Sequence, residues 1–376
     1  MSLDPSAKAA APLVLLAAGG TGGHLFPAEA LAGALGARGI LVDLATDERA
    51  ARYAGHFPAR QLHILPADTV RSRSPLSLAR TAASLGTGVL KGVALMRRLR
   101  PAAVVGFGGY PTVPPILAGV WARRPTLIHE ANAVMGRANV MLAPRVTAIA
   151  TGYPDILAAS PALAAKARHT GNPVRPAVLA VTGIPFLPPE GGRLNLLVFG
   201  GSQGARIMSE IVPPALERLD PAQRARLSIV QQCRQEDLEG VRATYDRLGV
   251  SAELAPFFGD LPARMARADL VIGRSGASTV AELCAIGRPS LLVPLPNALD
   301  QDQLANASAL SRAGGALLVK QSDFTPERLA AELTRLSSTP GELAAMAETA
   351  RRLGRPDAAE CLADLVMELA GLPSAR

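Results

Sequence analysis

Aromatic side chains are scarce in this chain, with eight Phe, four Tyr and one Trp making up 3% of 376 residues. Nucleic-acid binding on a stacked aromatic platform is therefore disfavoured. Cysteine is nearly absent too: Cys233, Cys284 and Cys361 are odd in number and far apart. That spacing argues against a disulfide scaffold and fits a reducing compartment. Long apolar runs are missing as well. The stretch Pro101–Ala122 carries no charge, but Pro111, Pro114, Pro115 and several glycines keep it from being one lipid-exposed helix. A short apolar run after Lys8, Pro12–Ala18, ends in a glycine-rich motif where a signal peptide would need a cleavage site. It reads as a buried strand, and the protein is expected to be cytoplasmic. What the chain does have is 49% hydrophobic and 19% charged residues. That composition supports full-sized cores, and the length points to two domains.

Charge is divided unevenly. Residues 1–175 hold 19 Lys and Arg against 8 Asp and Glu, a net +11, whereas residues 176–376 hold 20 against 23, a net −3. The front half is suited to an anionic partner, with nucleic acid, an anionic membrane and a phosphorylated substrate all open at this point. Short apolar runs alternate with helical patterns from end to end. The first half offers strands at Leu13–Ala17, Ile40–Ala45, Gln61–Leu65, Ala103–Phe107, Thr126–His129 and Val146–Ala150. The second half offers Leu194–Phe199, Leu227–Gln231, Ala252–Ala255, Leu270–Ile272, Ser290–Val293 and Ala316–Val319. Such alternation predicts an α/β protein with parallel sheets covered on both faces. The pattern breaks at Gly171–Pro176 and Thr182–Gly192, which read as linker, and a strand-to-glycine-turn unit recurs at 13–23 and 194–204. Two doubly wound domains facing across a cleft are expected, with ligands at the carboxyl ends of the strands.

Glycine turns at 19–24, 200–204 and 273–276 can bring backbone N–H groups to an anion at a helix start. The first is neither a dinucleotide fingerprint, because Leu25 replaces its last glycine, nor a P-loop, because no Gly-Lys-Ser/Thr follows. Gly200-Gly201-Ser202-Gln203-Gly204 matches a nucleophile elbow in outline. However, the histidines at 24, 56, 63, 129 and 169 all precede Ser202, so the hydrolase order fails and Ser202 reads as a hydroxyl donor to phosphate. No His or Cys pair has metal-ligand spacing, and Asp300 with Asp302 reads as a solvated loop.

Six motifs in order carry a family resemblance. Gly19-Gly20-Thr21-Gly22-Gly23-His24-Leu25-Phe26-Pro27-Ala28 is followed by Gly106–Pro111, His129–Asn132, Gly171–Arg175, Gly200–Arg206 and Arg274–Glu282, with Gln303, Asn306 and Ala307 beyond. The chain resembles the peptidoglycan N-acetylglucosaminyltransferases, the MurG family. The resemblance implies a GT-B fold of two Rossmann-like domains. Residues 1–176 would form the acceptor- and membrane-facing domain and 177–353 the UDP-GlcNAc-binding domain, with a C-terminal helix at about 354–376 packing back on the first. It also implies inverting transfer of N-acetylglucosamine from UDP-GlcNAc to the C4 hydroxyl of the muramyl sugar of undecaprenyl-linked lipid I, giving lipid II, with no cofactor and no metal site.

Residue by residue, the resemblance makes His24 the candidate general base and puts Glu130 at the catalytic centre. It assigns Thr21, Gly22, Gly23, Asn132, Arg175, Ser202, Phe258, Ala277, Ser278, Thr279, Val280, Ala281, Glu282 and Gln303 to UDP-GlcNAc. Within that set Arg175 and Ser202 face the pyrophosphate, Phe258 the uracil, Glu282 the ribose hydroxyls and Gln303 the sugar. Tyr110 and Asn139 fall near the acceptor. Three positions depart from the family pattern: Ala131 replaces a glutamine, Asp302 stands where Gln or His is usual, and Ser209 where some members have Asn. Partners implied are UDP-GlcNAc, lipid I, an anionic membrane surface and other cell-wall synthesis proteins, but no nucleic acid. The expected location is the cytoplasmic face of the bacterial inner membrane. For membrane contact the sequence offers Arg71, Arg73, Arg80, Lys91, Arg97, Arg98 and Arg100 interleaved with Leu76, Leu78, Leu85, Val89, Leu90 and Leu95. Another GT-B enzyme using the same donor, such as an epimerase or a glycolipid transferase, would share Glu282 and the glycine turns. A nucleotide- or nucleic-acid-binding protein is the non-enzymatic alternative.

Overall fold

Two parallel sheets organise the protein, whose computed structural model describes residues 11–19, 22–51, 55, 57–67, 74–191, 193–201, 204–296 and 300–373. The first sheet holds β1 (Leu13–Ala17), β2 (Leu41–Thr46), β3 (Gln61–Ile64), β4 (Ala103–Gly106), β5 (Thr126–Glu130), β6 (Ala148–Thr151) and β7 (Ala167–His169), ordered 3-2-1-4-5-6-7. The second holds β8 (Leu194–Phe199), β9 (Leu227–Gln232), β10 (Ser251–Ala255), β11 (Leu270–Gly273), β12 (Ser290–Leu292) and β13 (Ala316–Leu318), ordered 10-9-8-11-12-13. Every pairing is parallel. In each sheet the order reverses beside the first strand, between β1 and β4 and between β8 and β11. At such a reversal the loops leaving the two strands diverge and open a crevice.

The inner strands of each sheet are buried on both faces, which is why they read as unbroken apolar runs. In β1, Val14 and Leu16 enter one core while Leu15 enters the other. In β8, Leu196 and Val198 point one way and Leu197 and Phe199 the other. The helix Ala358–Leu369 returns to the first half. Its Leu362 and Val366 join the core of Val14, Leu16, Leu31 and Leu35, and Arg38 pairs with Glu360 and Asp364 at 2.6 Å each. Between the sheets, the segment after the Pro176–Leu179 helix is fastened to the second half by two arginines. Buried Arg288 donates to the carbonyls of Ala266, Gly287 and Ile184, and Arg351 donates to those of Thr182, Ile184 and Ile286. Several of these carbonyls lie at helix C-termini, where a cation meets unpaired acceptors and the negative end of the dipole.

The basic stretch differs from its reading as a free amphipathic surface. Within the helix Pro75–Leu99, Val89 and Leu95 are core residues and Leu85 packs against that core, while Leu90 is 69% exposed. Tight helix packing is the cause: a Cβ on Gly92 would sit 2.8 Å from Ala118 in the helix Val113–Trp121. Arg80, Lys91, Arg97 and Arg98 line the outer face. Arg71 and Arg73 lie outside the described residues.

Candidate functional site

The loops leaving β1, β4 and β5 build one wall of the cleft. After β1 the chain enters the helix Gly22–Ala37, which opens with Gly22, Gly23 and His24. Thr21 lies outside the described residues. The half-buried His24 ring donates from Nδ1 to the carbonyl of Gly19 at 3.1 Å, so the basic lone pair is on Nε2. Two glycines make room for this ring. Gly108 and Gly109 have φ of 88° and 75°, and a Cβ on either would stand 3.3 Å from an imidazole atom. Burial lowers the His24 pKa, outweighing the Gly19 bond and the charge of Asp302 from the second half. The ring is therefore neutral near pH 7, as a base must be. Tyr110 follows the two glycines and begins a short 3-10 turn, half-buried on the same wall.

Glu130 sits differently from the expectation for a catalytic carboxylate. Its side chain ends β5 at 2% exposure, and both oxygens are occupied. Oε1 accepts from the backbone N–H and the amide of Asn132 at 3.0 and 3.1 Å, and Oε2 from the Gly136 N–H and the Asn139 amide at 2.9 and 2.7 Å. Burial nonetheless leaves its pKa raised. A carboxylate held by four donors shapes the loop 131–139 and has little capacity left for a substrate proton. His129 is a packing residue: burial lowers its pKa to about 4, and its Nε2 lies 3.1 Å from the Gly171 carbonyl oxygen. Ala131, at the departure from the family's glutamine, is buried, and its carbonyl accepts from the Asn172 amide at 2.8 Å.

The opposite wall comes from the second sheet. β11 runs through Arg274, Ser275 and Gly276 into the helix Ala277–Ile286, whose first-turn N–H groups open at Ala277, Ser278 and Thr279. These three residues are half-buried, and the Ser278 hydroxyl is buried without a hydrogen-bond partner. Val280 belongs to the core and Ala281 packs against it, so both can offer a ligand little more than backbone. Glu282 is 4% exposed and bonded to Arg175, whose Nε and Nη2 reach Oε1 and Oε2 at 2.9 and 3.0 Å. Burial raises the Glu282 pKa against the pull of Arg175. Arg175 was expected on the pyrophosphate. In the structure its Nε and Nη2 face Glu282, and the guanidinium lies 4.6 Å from the ring centroid of Phe26 in the opposite wall. Each carboxylate oxygen keeps a second lone pair for a further donor.

Phe258 is nearly buried, with the Arg264 guanidinium 4.3 Å above its ring; Asp260 and Glu253 hold that guanidinium at 2.7 and 2.6 Å. One face of Phe258 is thus taken, and its neighbour Phe257, absent from the sequence-based set, is 70% exposed. Gln303 braces the loop after β12, accepting from Leu295 N–H at 3.0 Å, while its backbone carbonyl accepts from Ser275 Oγ at 2.8 Å. Ser202 lies outside the described residues. Polar contacts cross the cleft directly. Asn306 in the helix Asp302–Arg312 bonds Asn132 and Ala133, and Arg137 pairs with Asp300 at 2.8 Å. Phe26 and Asn306 carry no catalytic signature of their own, although both lie within motifs visible in the sequence. Among the described residues no group of three His, Cys, Asp or Glu side chains could hold a metal ion.

The Glycosyltransferase family 28 N-terminal domain matches residues 14–151, and the C-terminal domain of that family matches residues 195–362. A UDP-N-acetylglucosamine--N-acetylmuramyl-(pentapeptide) pyrophosphoryl-undecaprenol N-acetylglucosamine transferase of Rhodopseudomonas palustris is 62% identical over 361 residues, 96% of this chain and 99% of the relative. The protein of that name from Nitrobacter hamburgensis is 58% identical over 364 residues, 96% of this chain and 98% of its own. Among solved structures, Acinetobacter baumannii MurG superposes with a TM-score of 0.78 at 30% identity, covering 95% of this chain and 99% of that one. A UDP-GlcNAc 2-epimerase from Neisseria meningitidis, solved with UDP-GlcNAc bound, reaches a TM-score of 0.67 at 15% identity over 95% of this chain and 100% of its own, a likeness of fold.

Proposed function

The chain belongs to the MurG family within glycosyltransferase family 28, and from that membership we propose how its cleft transfers N-acetylglucosamine from UDP-GlcNAc to lipid I to form lipid II. The enzyme is a GT-B glycosyltransferase of peptidoglycan synthesis. The observation that carries the mechanism is the meeting of two walls: a neutral His24 in the first faces a second that ends in an open helix N-terminus and a buried carboxylate.

The acceptor C4 hydroxyl attacks the anomeric carbon of the donor sugar from the face opposite UDP. The new C–O bond forms as the bond to the diphosphate breaks, and the configuration inverts. His24 Nε2 takes the hydroxyl proton. Charge gathers on the departing diphosphate, where the N–H groups of Ala277, Ser278 and Thr279 and the helix dipole stabilise it. Glu282, kept in place by Arg175, accepts ribose hydroxyls on its remaining lone pairs. Gln303 and Asn132 border the sugar, and the Phe257–Phe258 turn the base. Tyr110 and Asn139 border the acceptor. Glu130 serves by holding Asn132 and Asn139 in place. The test is an assay of the purified protein with UDP-GlcNAc and a short-chain lipid I analogue, resolved by mass. A product heavier by one N-acetylhexosamine is expected. Epimerised donor, or no sugar transfer, would overturn the reading.

No helix among the described residues is long and apolar enough to cross a membrane. The acceptor's lipid tail nevertheless keeps it in a bilayer, so we propose peripheral attachment through the first domain, on the cytoplasmic face of the membrane. Support comes from Leu90 and Trp121, 69% and 64% exposed on two packed helices, the first of which also exposes Arg80 and Lys91. Each basic residue near an anionic leaflet contributes about 1 kcal/mol, attenuated by salt. Vesicles containing phosphatidylglycerol should retain the protein at low salt and release most of it at high salt. Arg80→Glu with Lys91→Glu, or Trp121→Ala, should weaken retention without slowing turnover on a soluble acceptor. Parent-like retention by these variants would show the face to be merely solvated.

A further inference from the structure

We infer that Asn306 is a positioning residue that ties closure of the donor domain to the acceptor loop, an inference resting on the donor and acceptor assignments above. Asn306 is fully buried, and all its side-chain groups are committed. Its Nδ2 donates to the Ser275 carbonyl within its own domain at 3.2 Å and across the cleft to Asn132 Oδ1 at 3.0 Å. Its Oδ1 accepts from the Ala133 N–H across the cleft at 2.8 Å. One amide therefore makes two hydrogen bonds to the other domain with residues more than 170 positions away.

What Asn306 grips is already organised. Asn132 is oriented by Glu130 Oε1, and the other Glu130 oxygen holds the Asn139 amide and the Gly136 N–H. Asn139 in turn lies against Gly108, beside the His24 ring. A set of hydrogen bonds thus runs from Ser275, next to the donor helix, to Asn139, which lies across Gly108 from the His24 ring. The cross-cleft ion pair of Arg137 with Asp300 has side chains 55% and 31% exposed, and such pairs contribute little. Removing the Asn306 amide strands the Ala133 N–H and Asn132 Oδ1 unless the domains part and admit water. An open cleft can still hold nucleotide on one wall, but it no longer presents the donor sugar to the acceptor.

The experiment measures UDP affinity by calorimetry and turnover with UDP-GlcNAc and a soluble lipid I analogue, for Asn306→Ala, Asn306→Asp, Asn132→Ala and the Ala/Ala double variant. Asn306→Ala should bind UDP within about threefold of the parent while turnover falls about 10- to 100-fold, the range set by stranding buried neutral hydrogen-bonding groups. The double variant should be no slower than the worse single variant, because the two amides act as a unit. Asn306→Asp keeps the size and the acceptor but loses the donors at neutral pH. Its activity relative to the parent should rise as pH falls, since a protonated carboxyl can again donate to Asn132. Multiplicative losses in the double variant, a UDP affinity that falls in step with turnover, or an Asp variant whose relative activity ignores pH would each overturn the inference. A parent that binds UDP but transfers no sugar would instead refute the functional reading itself.

Discussion

Glu282→Ala raises the UDP-GlcNAc concentration needed for half-maximal turnover by at least about 100-fold, because two hydrogen bonds to a charged acceptor contribute roughly 1.5–3 kcal/mol each. The loss extends beyond the ribose. Arg175 donates to both Glu282 oxygens and lies over Phe26 of the first domain. Without the carboxylate, its partly buried guanidinium has no anion to face. Glu282→Asp keeps the charge at the end of a shorter side chain and should recover part of the affinity. Glu282→Gln keeps the length but turns an NH₂ toward a guanidinium donor, so it should resemble Ala more than Asp. The Glu282 pKa is raised by burial, and the carboxylate is the form that accepts hydroxyl donors. Donor KM should therefore climb at acidic pH, and that climb should vanish in the Ala variant. Calorimetry with UDP separates this from a turnover effect. Parent-like UDP binding by Glu282→Ala would remove the carboxylate from the donor seat.

His24→Ala should lower kcat by about 10²- to 10⁴-fold, the usual contribution of a positioned base, with UDP affinity nearly unchanged. The sign of the pH dependence follows from the lowered pKa. A neutral imidazole is the active form, so activity is lost as pH falls through the His24 pKa, and burial moves that limb below the ordinary histidine value of 6.5. Asp302 pulls the other way, favouring the protonated ring. Asp302→Asn should accordingly move the acid limb to lower pH still. A kcat profile whose acid limb is unmoved in Asp302→Asn and still present in His24→Ala would assign the titration to another group. Retention of more than a tenth of parent kcat by His24→Ala would remove the histidine from the proton transfer.

Strands were the most legible part of the sequence, since burial on both faces leaves short apolar runs no polar punctuation to hide in. β7 escaped because Ala167–His169 is a three-residue edge strand carrying Arg168 and His169. The helix Val113–Trp121 escaped for another reason: Pro114 and Pro115 look like breakers, yet they fall in the first turn, where a missing N–H costs nothing. Apolar periodicity could also not say which leucines of the basic helix were spoken for. Val89 and Leu95 are consumed by the core and Leu90 is not, a distinction set by Gly88 and Gly92 letting a second helix come close. At the site, the motifs marked the right loops but not the pairings within them. Glu130 reads as an acid in sequence, and only the folded loop supplies the four donors that turn it into a brace. Arg175 with Glu282, and Asn306 with Asn132, lie 107 and 174 residues apart, beyond the reach of any local pattern.

The strapping of the connecting segment by Arg288 and Arg351 has a mechanical consequence. With Thr182, Ile184 and Pro185 bound to the second domain, that stretch travels with it, and bending is left to the two places where the chain passes between domains. These passages lie side by side. Gly171, at φ 82°, packs so closely on Arg355 that an added Cβ would stand 2.7 Å from the arginine's own Cβ, and a Cβ on Gly354 would stand 2.4 Å from the Cys284 carbonyl oxygen. Two adjacent passages define one axis, as paired knuckles define the swing of a door. With Val174 in the second domain's core and Arg175 held by Glu282, the walls are expected to swing about the crossings near Gly171 and Gly354–Arg355. A swing about that axis would return Asn306 to Asn132 and Ala133 each time the cleft closes.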